Sequence, residues 1–157
     1  MFKWLNKLHE KNKLYFALLW TVVYIVLNSA AIPLSAAIGA ESSAALAVNA
    51  VLSALLFFWL KSNGLTEYYG LCRVRIPASR FLFYIPLVVF MSRNLWFGFA
   101  VNFPRAGTIC YILSMLLVGF LEEVIMRGLL FRALAEKNVK TAIIITSVTF
   151  GLGHILN

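Results

Sequence analysis

The chain contains no aspartate; its negative charge comes from six glutamates, at positions 10, 41, 67, 122, 123 and 136. Charged residues of both signs make up only 13% of the 157 residues, about half the share of an average soluble domain. Cysteine is limited to Cys72 and Cys110, which the topology below puts on opposite sides of a span. That excludes a disulfide between them, and two lone cysteines make no metal motif. Histidine is confined to His9 and His154. A zinc site needs three protein ligands and commonly an HExxH turn. No cofactor is therefore expected; a divalent metal such as zinc is the minor alternative and would need ligands from beyond position 157 or from another chain. Ser92, Ser114 and Ser147 lie in apolar runs without a GxSxG elbow, so serine chemistry has no support. There is no internal repeat and no low-complexity linker.

What the chain does contain is apolar surface. Hydrophobic residues make up 62% of the sequence, and the mean hydropathy is +0.86. A spanning helix needs about 20 mostly apolar residues. The stretches Leu14–Ala37, Ala44–Leu60, Phe81–Val101, Thr108–Phe131 and Thr141–Asn157 meet or approach that length. The fold class expected is all-α: one integral membrane domain over 1–157, a transmembrane helix bundle of about five spans. Arg93 and Asn94, midway along the third stretch, should turn one face inward. Pro33 and Pro86 are expected to kink or thin their helices.

The net charge of +8 sits between the apolar runs and forms no patch suited to nucleic acid. It reads as anchorage facing anionic lipid. Lys3, Lys7, Lys11 and Lys13 precede the first span; Lys61, Arg73, Arg75 and Arg80 follow the second; Arg127, Arg132, Lys137 and Lys140 cluster at the end of the fourth and after it. The opposite side holds Arg105 alone. This alternation predicts a multi-pass protein of the cell membrane with its N-terminus in the cytoplasm. Residues 1–13 place Phe2, Leu5 and Leu8 opposite Lys3, Lys7 and Glu10, as in a short helix lying in the interface. A partner-binding helix and a cleaved signal peptide are the competing readings of this end; the run is long for a signal peptide.

Glu122 and Glu123 stand out. At about 1.5 Å per residue, Glu122 lies roughly 20 Å along a hydrocarbon core about 30 Å thick. An ionised acid near mid-helix costs about 2.5–3.5 kcal/mol on insertion scales, so the pair needs a partner or a wet cavity. Glu123 and Arg127, at i and i+4, share a face and can form an ion pair. Glu122 points about 100° away with no cation in register, which suits a general base. The simpler reading is that both acids only balance Arg93, Arg127 or polar groups on neighbouring helices. His154 shares a face with Phe150, and Asn157 follows three residues later. Ser147, Gly151 and Gly153 allow a close helix approach there. A buried histidine is usually a hydrogen-bonded core residue, but one lying a span away from an acidic pair could share a water with it.

The segment 119–157 resembles the signature region of the CPBP family of intramembrane proteases, which includes the type II CAAX prenyl endopeptidases. The family's EExxxR motif matches Glu122–Glu123–Val–Ile–Met–Arg127, and its FxxxH motif matches Phe150–Gly–Leu–Gly–His154. The resemblance places a partial protease-like core at 108–157. It implies that Glu122 and His154 activate a water that attacks a peptide carbonyl. Glu123 and Arg127 would hold the site together, Phe150 would pack beside the histidine, and Asn157 would support it. Implied substrates are prenylated C-terminal peptides, other peptides or membrane proteins. The family's third motif, a histidine followed four residues later by asparagine, would lie beyond Asn157, so the chain reads as truncated before it. Two other functions fit the sequence: a non-catalytic membrane immunity protein of the bacteriocin type, and a fragment of a transporter or channel, against which the lack of a repeat argues.

Overall fold

Asn12 opens the first long helix. Its side-chain oxygen accepts from the Tyr15 N–H at 3.1 Å, satisfying one of the spare donors of the first turn. The helix, α2, runs from Lys13 to Ile38 and ends on Gly39, whose φ of 70° is the left-handed conformation glycine adopts without a Cβ penalty. Before it lies α1 (Lys3–Lys11). After a tight turn comes α3 (Ser43–Ser62), clamped to α2 where the Ala44 N–H donates to Ser35 Oγ at 3.2 Å. These elements belong to a computed structural model that describes residues 3–73, 76–96 and 104–155.

A 3-10 helix (Ala78–Tyr84) leads into α4 (Ile85–Trp96). Helix α5 (Arg105–Glu122) continues without a break through a π-helix (Glu123–Leu130) into α6 (Phe131–Ala135), and α7 spans Val139–Ile155. The all-α expectation holds: no strand occurs among the described residues.

Three of these helices are long and apolar enough to cross a membrane: Lys13–Ile38, Ser43–Ser62 and Arg105–Ala135. Ser79–Phe90 and Val139–His154 are shorter apolar helices. The first, second and fourth expected spans are thus full-length helices, whereas the third begins as a 3-10 helix and the fifth is helical over its described residues. Residues 97–103, Asn157 and the side chains of Arg93 and Asn94 lie outside the described set. Pro86 falls in the first turn of α4, where no N–H is needed. Pro33 lies inside α2, which remains helical through it.

The core sits where α2, α3 and the α5–π–α6 helix meet. Phe16, Leu56, Trp59, Leu60, Leu121, Ile125 and Leu129 are fully buried there, and the Phe16 and Trp59 rings pack at 4.5 Å. The outward faces keep Val22, Ile25, Val26, Phe58, Ile112, Leu116, Ile144 and Val148 exposed. Such continuous apolar exposure suits lipid, where it carries no hydration cost. The chain is an integral membrane protein. The 3-10 helix and α4 pack on each other and on no other described element, leaving Phe83 and Phe90 84% and 71% exposed.

Helix α1 is amphipathic as expected, but it is also bonded into the bundle. Leu5 and Leu8 pack against the core. Trp59 Nε1 donates to Asn6 Oδ1 at 2.7 Å, and His9 Nε2 meets the Tyr69 hydroxyl at 2.6 Å. The His9 ring stands edge-on to Phe16 and Trp59.

Candidate functional site

Two helical turns carry the candidate residues, and helical phase sends them in different directions. Glu122 closes α5 and Glu123 opens the π-helix, whose wider turn is seen where the Phe131 N–H reaches back five residues to the Met126 carbonyl. π-turns are rare and recur at functional sites. Val124, Ile125, Gly128, Leu129 and Leu130 face the core. Gly128 is needed there for a close approach: a Cβ at this position would stand 3.2 Å from the Tyr69 carbonyl oxygen.

Glu123 is exposed and forms an ion pair with Arg127 one turn on. The Arg127 guanidinium lies 5.1 Å from the centroid of the Phe150 ring on α7, a cation–π distance. Phe150 in turn packs against His154, with ring centroids 4.4 Å apart. His154 Nδ1 lies 3.0 Å from the Phe150 carbonyl oxygen. A carbonyl only accepts, so Nδ1 must be the donor, and in the neutral ring Nε2 keeps its lone pair. A cavity of about 210 Å³ opens between the π-helix and α7, lined by Met126, Arg127, Thr146, Ser147, Phe150 and Gly151.

Glu122 leaves this chain of contacts. It is half-buried, and its Oε1 accepts from the Tyr24 hydroxyl of α2 at 3.1 Å. The structure therefore connects Glu123, Arg127, Phe150 and His154, while Glu122 faces the first span. Among the described contacts no hydrogen bond joins Glu122 to His154, and Asn157 lies outside the described residues. No three His, Cys, Asp or Glu side chains converge among the described residues.

Tyr24 is not among the residues expected at the site from the sequence. Its one signal is a stripe of polar-tipped side chains, Trp20, Tyr24 and Asn28, at i, i+4 and i+8 on an otherwise apolar helix. Trp20 is buried, and its indole N–H has no hydrogen-bond partner among the described residues. Asn28 donates to the Tyr24 carbonyl at 3.0 Å.

A second polar cluster ties the start of the chain to the end of α6. Lys13 pairs with Glu136, the Tyr68 hydroxyl donates to the same carboxylate at 2.9 Å, and the Arg132 guanidinium lies 4.6 Å from the Tyr68 ring centroid. The Lys13 hydrogen bond, joined by that from Tyr68, holds Glu136 below the usual carboxylate range. Next to it, burial and then the Lys13 charge push His9 below its usual value, and burial raises the Tyr69 phenol.

The helices that carry these residues form one continuous segment. Residues 104–157 match the family model described as type II CAAX prenyl endopeptidase Rce1-like. This segment is similar to the Rce1-like family. No curated protein and no solved structure matches the chain. The Rce1-like segment covers α5, the π-helix, α6 and α7, so it holds both acids, Arg127, Phe150 and His154, whereas Tyr24 reaches Glu122 from outside it.

Proposed function

We propose that the chain is an intramembrane endopeptidase of the CAAX prenyl type, with Glu122 as the base and His154 as its partner in activating a water. The observation that carries this reading is the coincidence of the Rce1-like match with the linked set Glu123, Arg127, Phe150 and His154 on two successive helices. In this reading Glu122 accepts a proton from water, and the resulting hydroxide adds to a peptide carbonyl. The amine leaves with a proton returned by the site. His154 contributes through Nε2, which its Nδ1 bond to the Phe150 carbonyl leaves available. Glu123 and Arg127 act on position, holding the π-helix against α7. Catalysis by this pair requires Glu122 and His154 to approach a common water.

The substrates are peptides or membrane proteins that meet the site from the bilayer, prenylated C-terminal peptides among them. The N-terminus lies in the cytoplasm, on the side of the lysine and arginine clusters. The test is cleavage of a farnesylated CAAX peptide by the full chain in proteoliposomes. Glu122→Gln abolishes cleavage and leaves membrane insertion unchanged. Equal cleavage by that variant removes the assignment.

A further inference from the structure

Deep between α3 and α5 lies a polar pair that the proposed site does not use. Asn49 Nδ2 donates to Ser114 Oγ at 3.2 Å. Both are sealed from the surface, at 0% and 1% exposure, and Ser53, one turn along α3, is 7% exposed. Asn49 Oδ1 and Ser53 Oγ have no hydrogen-bond partner among the described residues. In a bundle surrounded by hydrocarbon, no bulk solvent stands ready to receive them, and leaving such groups bare is costly.

Residues four apart on a helix share a face, so Asn49 Oδ1 and Ser53 Oγ are presented to the same strip of the interior. The two atoms call for one small ligand that donates to a carbonyl oxygen and exchanges a hydrogen bond with a hydroxyl. Water does both. An anion fails at Asn49 Oδ1, and an apolar ligand satisfies neither atom. Leu52 and Leu56, the bulkier neighbours of Ser53 on this helix, pack into the core.

We propose that Asn49, Ser53 and Ser114 form a bound-water site inside the membrane-spanning bundle. The Asn49–Ser114 bond sets the register of α3 on α5. With both helices running toward the basic end, Ser53 lies about 6 Å past that bond, and Glu122 about 12 Å past it along α5. The water sits on the way from mid-membrane to Glu122 and is a reserve for hydrolysis. That last link rests on the peptidase reading; the occupancy of the site does not.

Water-edited solid-state NMR tests the site on the full chain in phosphatidylcholine bilayers, with 15N-labelled asparagine. The Asn49 side-chain signal is assigned by its loss in Asn49→Leu. In the unmodified protein, transfer from water to the Asn49 amide builds up within about three-fold of the rate at the exposed Asn138, as expected of an exchanging internal water. Ser53→Ala slows that build-up by at least about three-fold while Asn138 is unchanged. A build-up at Asn49 more than about three-fold slower than at Asn138 overturns the proposal, because the pair is then dry. A slowing of less than about three-fold in Ser53→Ala also overturns it, because the water is then not held as drawn. Loss of peptide cleavage in Glu122→Gln bears on the peptidase reading alone and leaves this measurement untouched.

Discussion

The Tyr24 hydroxyl donates to Glu122 Oε1 across 3.1 Å, joining the first span to the first acid of the EExxxR motif. Both groups are half-buried, so the bond replaces hydration that the carboxylate gives up inside the bundle. A hydrogen bond to a charged group contributes about 1.5–3 kcal/mol. Tyr24→Phe should therefore lower the unfolding free energy in detergent micelles by about 1–2 kcal/mol. In the Glu122→Gln background the same change should cost less, and a double-mutant cycle reads the difference as the coupling between them. Additive single effects would mean that the two side chains do not interact.

Arg127 has two partners on different helices. It pairs with Glu123 on its own helix and lies over Phe150 on α7. Both charged side chains are more than half exposed, and exposed pairs are worth about 0.2–1 kcal/mol, so global stability should change little in Arg127→Ala. The local effect should be larger. Deuterium uptake across Val139–Ile155 rises in Arg127→Ala, and Arg127→Lys gives an intermediate result because lysine keeps the charge without the planar stack. Unchanged uptake over α7 would show that Arg127 does not hold that helix.

Gly128 lies under the Tyr69 carbonyl, which a Cβ would approach to 3.2 Å. Gly128→Ala forces the loop at Tyr68 and Tyr69 to shift, disturbing the contact with His9 on one side and Glu136 on the other. Overpacking of this kind typically costs about 1–3 kcal/mol. Thermal unfolding in micelles should show a lower midpoint for Gly128→Ala. A midpoint equal to that of the parent would mean that the loop yields freely.

Acidification should weaken the clasp formed by α1, the Tyr68–Tyr69 loop and α6 in two stages. His9 is held below its usual value by burial, so the unfolded chain binds its proton more readily. Its contribution is present above the unfolded pKa of about 6.5 and declines as the pH falls below it. Tyr69, Lys13, Glu10 and Glu136 are the titratable groups facing it. Glu136 is depressed by Lys13 and Tyr68, so its contribution holds above about 4.3 and is lost as the pH falls through its lower folded value. His9→Gln should flatten the dependence of the unfolding midpoint on pH around 6, and Glu136→Gln should flatten it below 4.3. A midpoint constant from pH 7 to about 5 would contradict the His9 assignment, and one constant from about 4.3 to about 2.5 the Glu136 assignment.

Much of the candidate site is legible in the chain because it is local. The Glu123–Arg127 pair and the Phe150–His154 contact each join residues four apart on one helix, and helical pitch alone brings such residues together. The spans and the basic clusters are equally readable, since apolar run length and charge placement are properties of consecutive residues. The divergence of Glu122 from Glu123 was readable as well, being a single step of about 100°.

The partners across helices were not legible. The resemblance pairs Glu122 with His154 at a shared water, and the hydrogen bond described for Glu122 is with Tyr24, 98 positions away. Nothing on α5 says which helix will lie beside it, nor at what rotation and depth. The same holds for Asn49 with Ser114, Gly128 beneath Tyr69 and Lys13 with Glu136. A basic, multi-span α-helical membrane protein with an acid pair split by helical phase is legible from consecutive residues. What Glu122 meets follows from the fold, because the rotation and depth of one helix against another come from packing summed over the whole bundle, and no local period encodes that sum.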